Sequence, residues 1–89
     1  MDIFIYTSIE YHGHYQKIVG KTKETICVSP ILELAIHDLR IFLNDTYSLN
    51  QGFMVLINND NIIKLLKIDA KMYMTDKDVF KIIPITSGG

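Results

Sequence analysis

A change of hydrophobic period in the middle of the chain constrains the fold more than any other feature. Between Ser29 and Asp45 the apolar residues recur every three or four positions, which is the spacing of one buried helix face. The stripe consists of Leu32, Ala35, Ile36, Leu39, Phe42 and Leu43. Ser29 is a good N-cap residue and Pro30 suits the first helical position, so the pattern predicts a helix over residues 30–44.

The segments on either side of this helix are rich in β-branched and aromatic residues, which is typical of β-strands. They are residues 2–9, 24–29, 53–57 and 79–85. Residues 10–23 are mostly polar and are predicted to form a turn region, residues 62–68 a strand or a short irregular return, and residues 71–74 a short pairing segment. One helix covers only one face of such a sheet. The expected fold is therefore α+β, with a mixed four- to five-stranded sheet packed on one main helix.

The uncovered face of this sheet is a candidate partner surface. Side chains alternate along a strand, and Lys81 is expected to face water. Val79 and Ile83 should then lie on the side of Lys81, while Phe80 and Ile82 point at the helix. A shift of the strand register by one residue would exchange the two sets.

The first strand is assigned in the same way from Asp2, which is expected to face water. This assignment places Phe4 and Tyr6 on the open face, and Ile3 and Ile5 in the core. Five residues are thus predicted to contact a partner protein. They are Phe4, Tyr6, Val79, Lys81 and Ile83.

Composition limits the classes of partner. The formal net charge is −1, whereas a nucleic-acid-binding protein needs a basic surplus on one face. No apolar run approaches the length of a membrane span, and the acidic start differs from a signal peptide. Cys27 is the single cysteine, so no internal disulfide is possible, which fits a reducing compartment. Its side chain is expected in the core. The chain is therefore expected to be cytoplasmic, without a nucleic-acid or membrane partner.

The final sixteen residues, MTDKDVFKIIPITSGG, carry a resemblance to a known family. They combine an acidic turn residue, a strand of alternating apolar residues, a proline and a Gly-Gly ending. In this pattern and in the order of its elements, the chain resembles the ubiquitin-like β-grasp sulfur carriers. That family includes the small subunit of molybdopterin synthase, the thiamine-pathway sulfur carrier and the ubiquitin-related modifier. The matching positions are Asp78, Val79, Phe80, Ile82, Ile83, Pro84, Gly88 and Gly89.

The resemblance implies a carrier protein and not an enzyme. An adenylating partner enzyme would join the carboxylate of Gly89 to AMP, and a sulfur donor would convert it to a thiocarboxylate for a sulfur-accepting enzyme or target protein. The alternatives are a modifier joined through Gly89 to lysines, and a non-covalent module whose tail is idle. The sequence contains neither of the glycine-rich phosphate-binding motifs G-x-x-x-x-G-K-[ST] and G-x-G-x-x-G. No intrinsic cofactor is therefore expected, and the ATP site is expected on the partner enzyme.

Glycine suits the end of such a tail because it lacks a Cβ and passes a narrow channel. Four extended residues, Thr86 to Gly89, span about 13 Å. The predicted organisation is one ubiquitin-like domain over residues 1–85 and a flexible Gly-Gly tail over residues 86–89, with Gly88 and Gly89 as the reacting end.

His12 and His14 have a spacing that can hold a metal, but the sequence offers no plausible third ligand. A solvated loop is the preferred interpretation, and no metal site is predicted.

Overall fold

A computed structural model describes residues 3–85 of the chain. In chain order the elements are β1 (Ile5–Tyr11), α1 (Tyr15–Val19), β2 (Lys23–Val28), α2 (Leu32–Tyr47), β3 (Phe53–Ile57), β4 (Asp60–Asn61), α3 (Ile62–Asp69) and β5 (Val79–Pro84). The strands form one sheet in the order β2-β1-β5-β3-β4. Strand β5 runs parallel to β1, and the other neighbouring strands are antiparallel. The predicted mixed sheet is confirmed.

Helix α2 follows the phase that the apolar stripe predicts. The helix buries Leu32, Ala35, Ile36, Leu39 and Leu43, and Phe42 is half-buried beside them. These side chains pack on the sheet through the core residues that alternate along each strand. The sheet residues of the core are Ile9, Tyr11, Ile26, Val28, Val55, Ile57, Phe80 and Ile82.

The predicted bounds of α2 were too early at both ends. Ile31 is the N-cap, and Ser29 instead accepts a hydrogen bond from the Ile31 N–H through its hydroxyl, at 3.3 Å. The helix continues to Tyr47 and ends at Ser48, whose φ of 56° is left-handed. It extends past Asn44, and the half-buried Tyr47 in this extension still packs on the core.

Residues 62–69 form a helix, so the prediction of a strand or an irregular return was wrong. The Asn61 side chain caps it by accepting a hydrogen bond from the Ile63 N–H at 2.8 Å. Ile62, Leu65 and Leu66 pack on the core at helical spacing. A short helix, α1, also lies within the predicted turn region. The predicted pairing segment near residue 73 is a single bridge, in which Tyr73 pairs with Ile31.

The core assignment of β5 is confirmed, because Phe80 and Ile82 are fully buried. On the first strand the assignment of Ile5 holds in part, since Ile5 is half-buried against the core. The assignment of Ile3 was wrong: its side chain is exposed. Strand β1 begins only at Ile5, so alternation does not govern the residues before it.

Candidate functional site

The open face of the sheet is built from the residues that alternate with the core. In the registered pairs, Ser8 lies opposite Val79 on the central parallel strands, and Ile83 lies opposite Met54. Paired residues of neighbouring strands share a face. The face is therefore continuous from β1 across β5 to β3, beside the strand end that precedes the tail.

Four of the five predicted partner residues lie on this face. Tyr6 is 69% exposed, and Val79, Lys81 and Ile83 are half-buried between neighbouring strands. The Lys81 Nζ donates a hydrogen bond to Asn59 Oδ1 at 2.9 Å, which holds the ammonium group near the turn between β3 and β4. Their contact with a partner protein stays a prediction.

Phe4 is the exception, and its assignment to the open face was wrong. It is 55% exposed, as predicted, but lines surface grooves together with Leu34, Asp38 and Ile41 of α2. The side chain therefore lies on the helix side of the sheet. The physical reason is again that Phe4 precedes the first residue of β1.

Three hydrophobic residues of the open face were missed by the sequence reasoning. Met54 is exposed beside Ile83, and Leu56 is half-buried beside Lys81. Cys27 is exposed opposite Tyr6, so its predicted core position was wrong. The signal was available, because Cys27 stands between two larger apolar residues that alternation places together in the core.

A second exposed apolar surface lies on the helix side. It comprises Ile3, Phe4, Leu34, Ile41 and Tyr73. Part of it forms an open groove of about 470 Å³ between the start of β1 and the first turns of α2. The described part of the chain contains no segment that covers this surface.

A cluster of hydroxyl groups around one carboxylate joins β1, β2 and the end of α2. The Glu24 Oε2 accepts hydrogen bonds from the hydroxyls of Tyr11, at 2.6 Å, and Tyr47, at 2.7 Å. The Lys21 Nζ lies 3.5 Å from the other carboxylate oxygen. Partial burial alone would raise the pKa of Glu24, but the two hydrogen bonds and the lysine charge outweigh it and lower the pKa. Burial, followed by the bond to Glu24, raises the pKa of Tyr11.

The two loop histidines do not converge. His14 stacks on Tyr15 with ring centroids 4.2 Å apart. The His12 Nε2 lies 3.7 Å from Glu10 Oε1 and has no hydrogen-bond partner within residues 3–85. Among those residues no group of three or more His, Cys, Asp or Glu side chains is arranged to hold a metal ion.

The reacting end of the predicted tail, Gly88 and Gly89, lies outside the described residues, as do Thr86 and Ser87. Ile85 is the last described residue before them. No helix in the described part of the chain is both long enough and apolar enough to cross a membrane.

Comparison with known proteins identifies the fold but no sequence family. No protein-family model and no curated protein matches the sequence. By structure, the chain has the ubiquitin-like β-grasp fold, and the resemblance that its sequence pattern indicates is confirmed at the level of the fold.

Three solved structures illustrate the likeness. The first is small archaeal modifier protein 1 (SAMP1) from Methanosarcina acetivorans, with a TM-score of 0.68 and 17% identity over 98% of this chain and 99% of that chain. The second is a putative molybdopterin converting factor, subunit 1, from Pyrococcus furiosus, with a TM-score of 0.65 and 11% identity over 92% of this chain and 99% of that chain. The third is Urm1 from Sulfolobus solfataricus, with a TM-score of 0.54 and 21% identity over 88% of this chain and 99% of that chain.

Proposed function

We propose that this chain is a sulfur-carrier protein whose Gly89 carboxylate is activated by a partner enzyme and converted to a thiocarboxylate. The observation that carries the proposal is the likeness, over nearly the whole length of both chains, to a molybdopterin converting factor subunit and to Urm1. The Gly-Gly pair at residues 88–89 supports it from the sequence. The proposal takes Gly89 as the residue that bears the α-carboxylate.

The chemistry needs activation because a carboxylate with a pKa of about 3.5 is ionised at neutral pH and is a poor electrophile. A carboxylate oxygen of Gly89 bonds to the α-phosphorus of ATP, and pyrophosphate leaves. Sulfide (HS⁻) supplied by a donor then attacks the carbonyl carbon, AMP leaves with the bonding electron pair, and the S–H proton is lost to water. The thiocarboxylate that remains gives its sulfur to an accepting enzyme or target. The chain is a co-substrate in these steps and the partner enzyme supplies the ATP site.

The open sheet face gives the partner enzyme a place to bind. Ordering a four-residue tail in a channel costs roughly 4–8 kcal/mol, which contacts elsewhere must offset. The exposed ring of Tyr6 and the half-buried apolar side chains of Val79 and Ile83 supply apolar area for such contacts, and Lys81 a charge. We assign these four residues to the docking of the adenylating enzyme.

The proposed compartment is the cytoplasm. Cys27 is a free and exposed thiol. Such a thiol persists most readily where glutathione and thioredoxin keep cysteines reduced.

A second function, conjugation to other proteins, is favoured by one observation. The similar structure from Methanosarcina acetivorans is a modifier protein by name. A modifier would use the same activated Gly89, but the attacking group would be the amine of a lysine on another protein, and an isopeptide bond would form.

Intact mass separates these functions. The purified protein is first weighed to show that it ends at Gly89, and is then incubated with its adenylating enzyme, ATP and a sulfide source. A gain of about 16 Da, the replacement of one oxygen by sulfur, is expected for the carrier. Conjugates with other proteins in a cell extract would instead support the modifier. An unchanged mass without conjugates would refute both and leave the non-covalent module.

A further inference from the structure

The segment that precedes the tail is held by two loops. The Ile85 N–H donates a hydrogen bond to the Gly52 carbonyl at 3.2 Å. One residue earlier, Pro84 pairs with Phe53 at the end of β5. On the other side, the His12 N–H donates to the Ile82 carbonyl at 3.0 Å, which brings the loop after β1 against the same strand end.

Gly13 lies in that loop, and the ring of Pro84 fills the space where a side chain at position 13 would lie. Its φ is +60°, and a Cβ built on it would lie 2.7 Å from the Pro84 Cγ and 3.4 Å from the Cδ. Carbon atoms in contact are normally separated by about 3.5–4.0 Å, so the proline ring occupies the place of a side chain. Any other residue at position 13 would push Pro84 and the backbone after it.

The acceptor of the Ile85 N–H is itself fixed. The Tyr15 hydroxyl donates a hydrogen bond to the same Gly52 carbonyl at 2.6 Å. Tyr15 is only 3% exposed, and its ring packs edge-on against Phe53 with centroids 5.9 Å apart. Gly52 has a φ of +86°, and a Cβ there would lie 3.2 Å from the Tyr15 hydroxyl.

From these contacts we infer that Gly13, Gly52 and Tyr15 form a clamp that fixes the position and direction from which the tail begins. The inference rests on the proposed activation of Gly89 and makes these three positioning residues for it. Position at the base matters because an extended four-residue tail is about 13 Å long, so a tilt of about 15° at Ile85 displaces its end by about 3 Å. Misplacement of a reacting group by even 1 Å can cost about 100-fold in rate.

The chain offers a matched control for the clamp. Gly20 has a φ of +82°, and apart from its chain neighbours no heavy atom of the described residues lies within 4 Å of a Cβ built on it. Gly20→Ala and Gly13→Ala therefore impose the same kind of backbone strain, but only Gly13→Ala meets Pro84. Tyr73→Phe, at an exposed ring, is the control for Tyr15→Phe.

The test measures ATP–pyrophosphate exchange by the adenylating enzyme with each variant as substrate, together with hydrogen exchange of the Ile85 amide by NMR. Gly13→Ala should lower kcat by about 10- to 100-fold with KM for the carrier unchanged, since the docking face is intact. It should also speed exchange of the Ile85 amide, and Tyr15→Phe should change both quantities in the same direction but less. Gly20→Ala and Tyr73→Phe should match the wild-type protein in kcat.

A double-mutant cycle identifies the contact responsible. Pro84→Ala removes the ring that a side chain at position 13 would meet, so Gly13→Ala should change kcat little in that background. Equal losses with and without Pro84 would overturn the clamp, as would a Gly13→Ala protein no slower than Gly20→Ala. If Gly13→Ala does not fold, the test rests on Tyr15→Phe. A Tyr15→Phe protein with the wild-type kcat and the wild-type exchange rate of the Ile85 amide would overturn the clamp. Absence of exchange with the wild-type protein would refute the proposed function itself, and the clamp's role with it.

Discussion

Two leucines of α2 provide a sharp test of the fold. Leu39 is fully buried and Leu34 is 46% exposed, although they lie in the same helix. Substitution by alanine changes intrinsic helix propensity equally at both positions, so the difference between the variants reports burial. Full burial of a leucine side chain is worth about 1.5–3 kcal/mol, and the cavity left by its removal brings the expected loss for Leu39→Ala to about 2–5 kcal/mol. Leu34→Ala should lose about 1 kcal/mol or less.

A domain of this size has a total stability of roughly 4–13 kcal/mol, so the Leu39→Ala protein should be close to unfolding. The assay is urea unfolding followed by far-UV circular dichroism, with the free energy of unfolding extrapolated to water. A similar loss in the two variants would refute the helix phase. A larger loss for Leu34→Ala would place the opposite face of α2 against the sheet.

Two further predictions concern the open face and the carboxylate cluster. Ile83→Asp should melt near the wild-type temperature but bind the adenylating enzyme at least about tenfold more weakly. The control Ile68→Asp, on α3, should bind normally. If calorimetry gives Ile83→Asp the same affinity as the wild-type protein, Ile83 is not part of the interface. Glu24→Gln should destabilise the protein at neutral pH by about 1–2 kcal/mol, through weaker hydrogen bonds from Tyr11 and Tyr47. Because folding lowers the pKa of Glu24 from 4.5, its stabilisation is present above pH 4.5 and is lost as the pH falls through the lower folded value. Urea unfolding curves of the two proteins should therefore converge in acid, and a constant difference at all pH values would contradict this assignment.

The sequence predicted the central part of the fold well because α2 is long and strictly periodic. Phe80 and Ile82 were placed correctly because Lys81 marks the polar side of β5 and the strand is regular. The same rule misplaced Phe4 and Ile3, since alternation applies only within a strand and the start of β1 could not be located from the sequence.

Helix α3 could not be predicted from hydrophobic periodicity alone. Residues 62–69 contain a short apolar run interrupted by two lysines, a pattern that does not distinguish a strand from a short helix. The deciding interaction is the cap, in which Asn61 accepts from the Ile63 N–H. The tail clamp could not be predicted either, because the loops that carry Gly13 and Gly52 are far apart in the sequence and their contacts with each other and with the end of β5 exist only in the folded chain.

The central claim is that Gly89 carries the only reacting atom of this chain. It is tested most directly by ATP–pyrophosphate exchange with the adenylating enzyme, using the full chain and a variant that lacks Gly88 and Gly89. The full chain should support exchange and the truncated variant should not, while the two melt at the same temperature, because the buried core lies between Ile9 and Ile82. Exchange at the full rate with the truncated protein would contradict the account and favour a non-covalent ubiquitin-like module.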